Sequence, residues 1–234
     1  MTSQPNLRLR DNIARVRGEI AEAAARSGRA VETVKLVAVT KYVDVSLTRQ
    51  VAALVADIGE SRPQEIWGKA PELSDLKLHW HLIGHLQRNK IRRTLPHVSL
   101  IHSVDNLRLV EELQAECARI GRVQNILLEV NISGDASKTG FAAQEMQAAI
   151  SAVAACDHLA LHGLMSMSGL DTDAAAAQQQ FAAVRNLRDE LQRNLPGNVS
   201  LRELSMGMSG DFREAIAEGA TLVRIGSSLF EGIL

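Results

Sequence analysis

The feature that most constrains the fold is the alternation of eight short apolar runs with helical stretches. Each run is rich in Leu or β-branched residues and often ends in Gly, Ser or Asn. Apolar strands of this length are buried on both faces, which is typical of parallel β-α-β units. The runs occupy residues 35–40, 54–59, 78–84, 98–104, 125–132, 159–165, 199–206 and 221–226.

Helical patterns lie between the runs, most clearly at residues 105–119, 142–155, 174–194 and 210–218. An amphipathic segment at 6–27 precedes the first run, and Gly28 is placed to end it. Asp105 and Asp211 begin two of the patterns, so we expect them to be N-cap or first-turn residues.

Eight strands with about eight helices in 234 residues predict a (β/α)8 TIM barrel of the α/β class, with an extra N-terminal helix. The alternative is an open, doubly wound sheet. No GxGxxG motif follows the first run, which weakens the nucleotide-binding version of that alternative. Because no linker of Pro, Gly or Ser divides the chain, we expect one domain over residues 1–234.

Charge and composition exclude several classes of protein. Lys and Arg total 26 against 27 for Asp and Glu, so the basic surface of a general nucleic-acid binder is not expected. No apolar run approaches the roughly 20 residues of a membrane span, and no secretory signal is evident. Cys117 and Cys156 form neither a disulfide framework nor a zinc site, so we expect a cytoplasmic protein.

A barrel of this type carries its chemistry at the carboxyl ends of the strands and in the loops that follow them. This rule nominates candidate residues by position alone. They are Thr40, Lys41, Glu60, Ser61, residues 81–85, Ser103, Asn131, Met165, Ser166, residues 205–209 and residues 226–228.

Lys41 directly follows the first apolar run, at the expected mouth of the barrel. Most lysines are solvated surface charges, and that interpretation stays open here. In apolar surroundings, however, desolvation lowers the pKa of an amine. A neutral amine can form a Schiff base with a carbonyl compound. The position therefore makes Lys41 a candidate nucleophile toward an aldehyde or a ketone.

Two loops have the composition of a phosphate site. The sequences LSMGMSG at 204–210 and VRIGSS at 223–228 each place Gly and Ser after a strand and before a helical segment. Backbone N–H groups at the start of a helix bind oxyanions, and hydroxyls add donors. Barrel enzymes often bind phosphate after the seventh and eighth strands, which these loops follow by count. Either loop alone is compatible with an ordinary turn, but the pair predicts a phosphate group.

Arg224 interrupts the last apolar run. A buried cation needs a partner. One interpretation is a structural ion pair with a carboxylate such as Glu129 or Glu203. The other is a guanidinium directed into the site, toward a ring or a phosphate group.

The segment HWHLIGH at 79–85 raises a metal interpretation. His79 and His81 share one strand face, while His85 lies in the following loop. Zinc needs three or four ligands with supporting groups, and few carboxylates lie nearby in the sequence. We therefore predict no metal site and interpret His81 as a polar wall of the pocket.

A pyridoxal phosphate pocket would combine a Schiff-base lysine, an arginine and two phosphate loops, and here the chain resembles the pyridoxal phosphate homeostasis proteins. These look like the barrel domain of alanine racemase standing alone, so the resemblance implies a fold-type III barrel without the C-terminal β domain. It runs from about Leu9 to Phe230. The motifs that carry it are VAVTKY around Lys41, GESRPQE at 59–65, HWHLIGHLQRNK at 79–90, HSVD at 102–105, VNISGDASKTGF at 130–141, GLMSM at 163–167, LSMGMSGD at 204–211 and VRIGSSLF at 223–230.

The resemblance implies a role for individual residues. Lys41 matches the lysine that forms an internal aldimine with pyridoxal phosphate, and Arg224 matches the arginine that faces the pyridine nitrogen. His81 lies in a motif that borders the cofactor, and Met165 is included as a neighbouring strand end. Ser61 stands where the family usually has Asn, so a side-chain contact to the cofactor is shortened or lost.

The phosphate positions of the family match the two Gly- and Ser-containing loops. Ser205, Gly226 and Ser227 match the residues that bind the phosphate group, with Ser227 in place of the more usual Thr. Met206 and Ile225 would contribute backbone groups. We expect these positions to preserve cofactor binding.

The implied function is to hold pyridoxal phosphate on Lys41 for homeostasis and delivery of the cofactor, without strong amino-acid turnover. Racemases of this fold use a tyrosine base from a second domain; here the chain ends at Leu234, and Tyr42 is its only tyrosine. We expect a monomer that is not an enzyme, whose partners are the cofactor and the apo-enzymes that receive it. The alternatives are a weak amino-acid racemase and a barrel enzyme that forms an imine with another phosphorylated metabolite.

Overall fold

Eight parallel strands close into a barrel in the computed structural model, which describes residues 6–133, 139–169, 172–196 and 199–234. The strands are β1 (Lys35–Val39), β2 (Asp57–Glu60), β3 (His79–Leu82), β4 (Leu100–Val104), β5 (Gln124–Asn131), β6 (Phe141–Ala142), β7 (Leu159–Met165), β8 (Glu203–Ser205) and β9 (Leu222–Ile225). Neighbouring strands pair around the ring, with β5 beside β7, and β1 pairs with β9 to complete it. The two-residue β6 pairs with the end of β5 outside the ring.

Helices surround the ring, and several connections are completed by 3-10 turns. Closure of the ring through the β4–β5 and β1–β9 pairings confirms the predicted barrel and rules out the open, doubly wound sheet. In the described ranges, no helix has the combined length and apolar character that crossing a membrane requires. The helices are α1 (Leu7–Arg26), α2 (Val45–Ala52), α3 (Pro63–Glu72), α4 (Ile91–Thr94), α5 (Leu107–Ile120), α6 (Met146–Ala154), α7 (Ala174–Leu191) and α8 (Phe212–Ala217).

The N-terminal helix α1 confirms the amphipathic pattern. The side chain of Asn6 caps it by accepting from the N–H of Arg8, and Gly28 follows its end with a positive φ of 66°. Its buried Asn12 donates to the carbonyl oxygens of Leu229 and Glu231 at 3.1 and 3.0 Å. The helix therefore fixes the C-terminal segment against the barrel.

Some of the predicted boundaries were wrong for local reasons. The run at 54–59 predicted a strand from Leu54, but Leu54 and Val55 donate to the carbonyl of Val51 and complete the end of α2. Asn106, rather than Asp105, caps α5 by accepting from the N–H of Leu109 at 2.9 Å. The motif VNISGDASKTGF at 130–141, which carries part of the family resemblance, falls partly outside the described residues.

Asp211 stands at the position before α8 but makes no capping hydrogen bond to that helix. Its two carboxylate oxygens instead accept from the N–H of Met208 at 2.6 Å and from the hydroxyl of Ser168 at 2.5 Å. Asp211 therefore joins the loop after β8 to the loop after β7. These two hydrogen bonds matter for the site because both loops lie at the barrel mouth.

Two apolar clusters give the barrel its layers. The larger one fills the space between the strands and the helices, whereas a small one of Val37, Leu127, Met165 and Leu222 lies inside the ring. Side chains alternate between these layers along each strand, as the pleat requires. Trp80 accordingly packs outward, while His81, next to it in β3, faces the interior. Polar residues occupy the rest of the interior and lead toward the mouth.

Candidate functional site

A cavity of about 720 Å³ opens at the carboxyl ends of the strands. Its walls come from residues that follow β1, β2, β3, β7, β8 and β9, together with the C-terminal segment that α1 fixes in place. This is the end at which barrels of this type carry their chemistry. Exposed apolar side chains surround its opening: Tyr42, Met167, Met208 and Leu234.

The loops after β8 and β9 meet at the hydroxyl of Ser209. This oxygen accepts from the N–H of Gly226 at 3.2 Å and from the N–H of Ser228 at 3.4 Å. Backbone N–H donors and hydroxyls converging on one point are the groups that bind a phosphate oxygen. Ser209, Gly226 and Ser227 all line the cavity. The two loops thus form an anion cradle, defined here as these three residues and the N–H of Ser228.

Lys41 lies at the rim of the same cavity, with its side chain exposed. Its Nζ is 4.8 Å from the centroid of the Tyr42 ring, which is a cation–π arrangement. Of the two interpretations left open for Lys41, the structure has the exposed side chain and not one enclosed by apolar groups. It extends into the opening because strand β1 ends at Val39 and the chain turns outward after Thr40.

The residue before it, Thr40, is held firmly from two sides. The Nζ of the buried Lys69 donates to the carbonyl of Thr40 at 2.8 Å, and the hydroxyl of Thr40 donates to Glu60 Oε1 at 2.5 Å. Lys69 also pairs with the same carboxylate at 2.7 Å. Burial raises the pKa of Glu60 and outweighs the opposing hydrogen bonds from Lys69 and Thr40. The buried lysine of this region is therefore Lys69, which fixes the backbone directly before Lys41.

Arg224 forms part of the cavity floor and is buried. Its guanidinium donates to the hydroxyl and the carbonyl of Ser205, both at 2.6 Å, and to the carbonyl of Ser166 at 2.9 Å. Desolvation lowers its pKa to about 10, against the attraction of Asp211 and Glu129. At neutral pH it remains a cation whose partners are neutral oxygens.

The two structural partners considered for Arg224 are engaged elsewhere. Glu129 accepts from the hydroxyl of Thr139 at 2.7 Å, and Glu203 accepts from the hydroxyl of Thr221 at 2.5 Å. Among the described residues, no carboxylate lies within ion-pair distance of Arg224. The interpretation as a structural ion pair was wrong, and the guanidinium lies at the site.

Half of the ten predicted cofactor residues line the cavity: Lys41, Ser61, Arg224, Gly226 and Ser227. The other five do not. They are His81, Met165, Ser205, Met206 and Ile225.

Each of these five has a different place in the barrel. Met165 packs in the small inner cluster, whereas Met206 and Ile225 pack in the outer one. Ser205 and His81 belong to the polar interior beneath the cavity, where the hydroxyl of Ser205 is already bonded to Arg224. At the mouth, the hydroxyl after β8 comes from Ser209 instead. Position at a strand end had nominated Ser209, but the resemblance placed the phosphate on Ser205.

The histidines of the 79–85 segment point in different directions. His85 bonds Asp105 at 2.9 Å beside the mouth, while His79 lies exposed at the opposite end, 3.4 Å from Asp57. His81 faces the barrel interior, bonded to Asp57 and to His102 at 3.0 and 2.9 Å. The described ranges contain no group of three or more His, Cys, Asp or Glu side chains arranged to hold a metal ion.

Comparison with known proteins assigns the family. The family model described as "Alanine racemase, N-terminal domain" matches residues 8–232. The chain is 42% identical over 221 residues to the pyridoxal phosphate homeostasis protein of Pseudomonas aeruginosa, covering 94% of each chain. The chain belongs to the pyridoxal phosphate homeostasis protein family. The corresponding Escherichia coli protein is 34% identical over 223 residues, again with 94% of each chain covered.

Solved structures of similar proteins agree with this fold. PipY of Synechococcus elongatus with pyridoxal phosphate bound is 38% identical, with a TM-score of 0.80 over 90% of this chain and 99% of that one. An alanine racemase of Clostridium difficile has a TM-score of 0.74 at 14% identity, over 97% of this chain and 57% of that one. At that identity the likeness concerns the barrel alone.

Proposed function

We propose that this protein binds pyridoxal phosphate in the cavity at the barrel mouth and holds it for later release. The observation that carries the proposal is that one cavity brings together an amine, an anion cradle and a buried guanidinium. These are Lys41 for the aldehyde, Ser209 with its N–H donors for the phosphate, and Arg224 for the ring. The family membership and the cofactor bound to PipY support the same ligand.

The residues of the chain fit the three functional groups of the cofactor. When bound, the cofactor supplies an aldehyde that condenses with amines and a ring that can accept electrons from the attached carbon. Arg224 donates hydrogen bonds and has a pKa near 10, so it presents N–H groups and no acidic proton to a ring nitrogen. A pyridine ring whose nitrogen stays unprotonated accepts electrons poorly. Arg224 therefore favours storage of the cofactor over carbanion chemistry.

The cavity also lacks an evident acid–base pair among its described residues. Besides Lys41 and Arg224, its ionisable side chains are Tyr42 and Glu231. Tyr42 is 77% exposed beside the Lys41 amine, and Glu231 is paired with Arg15 at 2.8 Å. We infer a carrier that acts as a monomer and passes the cofactor to apo-enzymes through the open mouth. The two free cysteines fit a reducing compartment such as the cytoplasm.

Reconstitution with pyridoxal phosphate tests the proposal. Added cofactor should give a visible absorption band, and reduction with borohydride should attach it covalently to Lys41, as located by peptide mass spectrometry. Lys41→Ala should lose the covalent adduct but retain weaker binding through the anion cradle. Lys77→Ala, at an exposed lysine outside the cavity, is the matched control and should behave as the wild type. A protein that cannot be loaded, or that is labelled equally at Lys77, would contradict the proposal.

A proton-exchange assay separates a carrier from a weak racemase. Loaded protein is incubated with alanine in deuterated water, and exchange at the α-carbon is followed by NMR. We expect no more exchange than free pyridoxal phosphate gives. Exchange that exceeds this level and disappears in Lys41→Ala would establish catalysis instead.

A further inference from the structure

A continuous chain of hydrogen bonds crosses the barrel beneath the cavity. It starts at Arg224 on the cavity floor and passes through Ser205, His102 and His81 to Asp57 at the opposite end of the barrel. The successive distances are 2.6, 2.8, 2.9 and 3.0 Å. The three middle side chains are 0%, 0% and 3% exposed, so water does not compete for these bonds. None of the three lines the cavity.

The donors and acceptors at the two ends limit where the hydrogens of this chain lie. A guanidinium can only donate, so the oxygen of Ser205 accepts from Arg224 and its own hydrogen is available for His102 Nδ1. The pKa of His102 is held well below its usual value, chiefly by burial, with His81 and Arg224 adding to the effect. His102 is therefore neutral and carries one ring hydrogen, which lies on Nε2 when Nδ1 accepts from Ser205.

The same reasoning continues to the far end. A carboxylate can only accept, so the hydrogen of a neutral His81 lies on Nε2 and points to Asp57 Oδ1, and its Nδ1 accepts from His102 Nε2. This is the direction in which Ser205 donates to His102. Burial raises the pKa of Asp57, but the hydrogen bond from His81 and the nearby Lys35 and His79 outweigh it, and the net shift is downward. Asp57 is thus the ionised acceptor that closes the chain.

We propose that Ser205, His102, His81 and Asp57 are positioning residues for Arg224, joined in a hydrogen-bond chain that runs in one direction from guanidinium to carboxylate. The chain holds the Arg224 guanidinium at the cavity floor and keeps both histidines as Nε2–H tautomers. Its importance for the cofactor ring rests on the proposed function, but its hydrogen positions do not.

The chain also couples the two ends of the barrel. A proton added to His81 would make both of its nitrogens donors, so His102 would have to switch tautomer and Ser205 would lose its acceptor. The charged and titratable groups that face the chain are Lys35 and His79 at the Asp57 end, and Asp211 and Glu129 at the Arg224 end. A change of charge at either end therefore changes the hydrogen positions at the other end, because it changes the tautomer of His102.

Imidazole NMR on the protein without cofactor tests the hydrogen positions directly. Long-range ¹⁵N–¹H correlation spectra, assigned with His81→Gln and His102→Gln, should show the ring hydrogen of each histidine on Nε2. The exposed His162 is the internal control for a ring outside the chain. An Nδ1–H tautomer, or a cationic ring at pH 7, would overturn the proposal. Because no cofactor is present, this result is independent of whether pyridoxal phosphate binds.

A ligand comparison tests the positioning of Arg224. His102→Leu breaks the chain, whereas His102→Gln retains a donor and an acceptor at one site. We expect His102→Leu to weaken binding of pyridoxal phosphate by roughly tenfold, with partial rescue by His102→Gln. An analogue with carbon in place of the ring nitrogen should bind equally to both variants and to wild type. Equal loss for both ligands, or no loss for either, would refute a positioning role toward the ring. If His102→Leu fails to fold, Ser205→Ala replaces it in the same comparison.

Discussion

Removing the buried ammonium of Lys69 should destabilise the protein in a way that depends on pH. Lys69 is 4% exposed and its partner Glu60 is fully buried, with Oε1 bonded to both Lys69 and Thr40. In Lys69→Met the carboxylate keeps one hydrogen bond, from Thr40, and loses its counter-charge. Breaking a buried pair in this way costs about 3–5 kcal/mol. Because the hydrogen bond from Thr40 remains, we expect the loss of stability to lie at the lower end of this range, about 3 kcal/mol at pH 7.

The pH dependence follows from linkage. A buried, unpaired carboxylate has a raised pKa in the folded state, so protonation of Glu60 relieves the penalty as the pH falls. The pKa of Glu60 is already raised by burial in the wild type, and loss of the Lys69 ammonium raises it further. The loss of stability is therefore complete above the folded pKa of the variant and diminishes as the pH falls through it. At pH 5 the variant should be closer in stability to the wild type than at pH 7.

Urea denaturation at pH 7 and pH 5 measures both values. The double variant Glu60→Gln with Lys69→Met should recover most of the stability and lose the pH dependence, since no charge remains to be buried. Arg49→Met, which removes an exposed ion pair with Asp75, is the control and should have a much smaller effect. An equal loss at both pH values, or a double variant no more stable than Lys69→Met, would refute the reasoning.

Three further predictions concern the loops and the interior. Ser209→Ala should weaken binding of pyridoxal phosphate several-fold in a titration, while Ser99→Ala, whose hydroxyl lies outside the cavity, should not. Gly207→Ala should lose about 2–4 kcal/mol in urea denaturation, because its φ is +86° and an added Cβ would lie 2.6 Å from the Cβ of Ala215. Gly210→Ala, with nothing within 4 Å, should be nearly neutral, and equal losses would contradict the steric argument. Because the folded pKa of His102 is depressed, the unfolded chain binds an extra proton below pH about 6.5. Stability should thus fall by up to ~1.4 kcal/mol per pH unit below that value, and a His102→Gln variant should lack this contribution.

The sequence was sufficient for the barrel because its signal is repeated. Eight apolar runs at regular intervals leave few alternatives, and an error at one boundary, such as Leu54, does not disturb the ring. The anion cradle was also predictable in outline, since loops rich in Gly and Ser after the last two strands follow from strand count. The different places of Ser205 and Ser209 were not, because Ser205 ends the same short strand that Ser209 follows. Only the direction of each side chain separates an interior hydroxyl from one at the mouth.

The sequence did not show which polar side chains contact each other inside the barrel. Lys69 lies in α3, nine residues after Glu60, and nothing in its helical surroundings marks it as buried. His102 and Ser205 are 103 residues apart and meet only because the ring closes. The sequence left the exposure of Lys41 undecided for the opposite reason. An apolar strand predicts burial up to its last residue, but not for the residue that follows the turn at Thr40.

The cavity differs in how firmly each of its functional groups is held, and this bears on reversible binding. Ser209 is bonded to two backbone groups, and the guanidinium of Arg224 is fixed by three hydrogen bonds to oxygens of Ser205 and Ser166. The Lys41 amine, in contrast, extends from a clamped backbone into the opening, against the exposed ring of Tyr42. Under the proposed function, a ligand anchored by its phosphate and ring exchanges the bond at its aldehyde without leaving the cavity. Pre-organised anchors lower the entropic cost of binding, and we propose that the accessible amine leaves the bond to Lys41 open to a competing amine. This division predicts that changes at the anchors alter affinity, whereas changes at Tyr42 alter the rate of transfer.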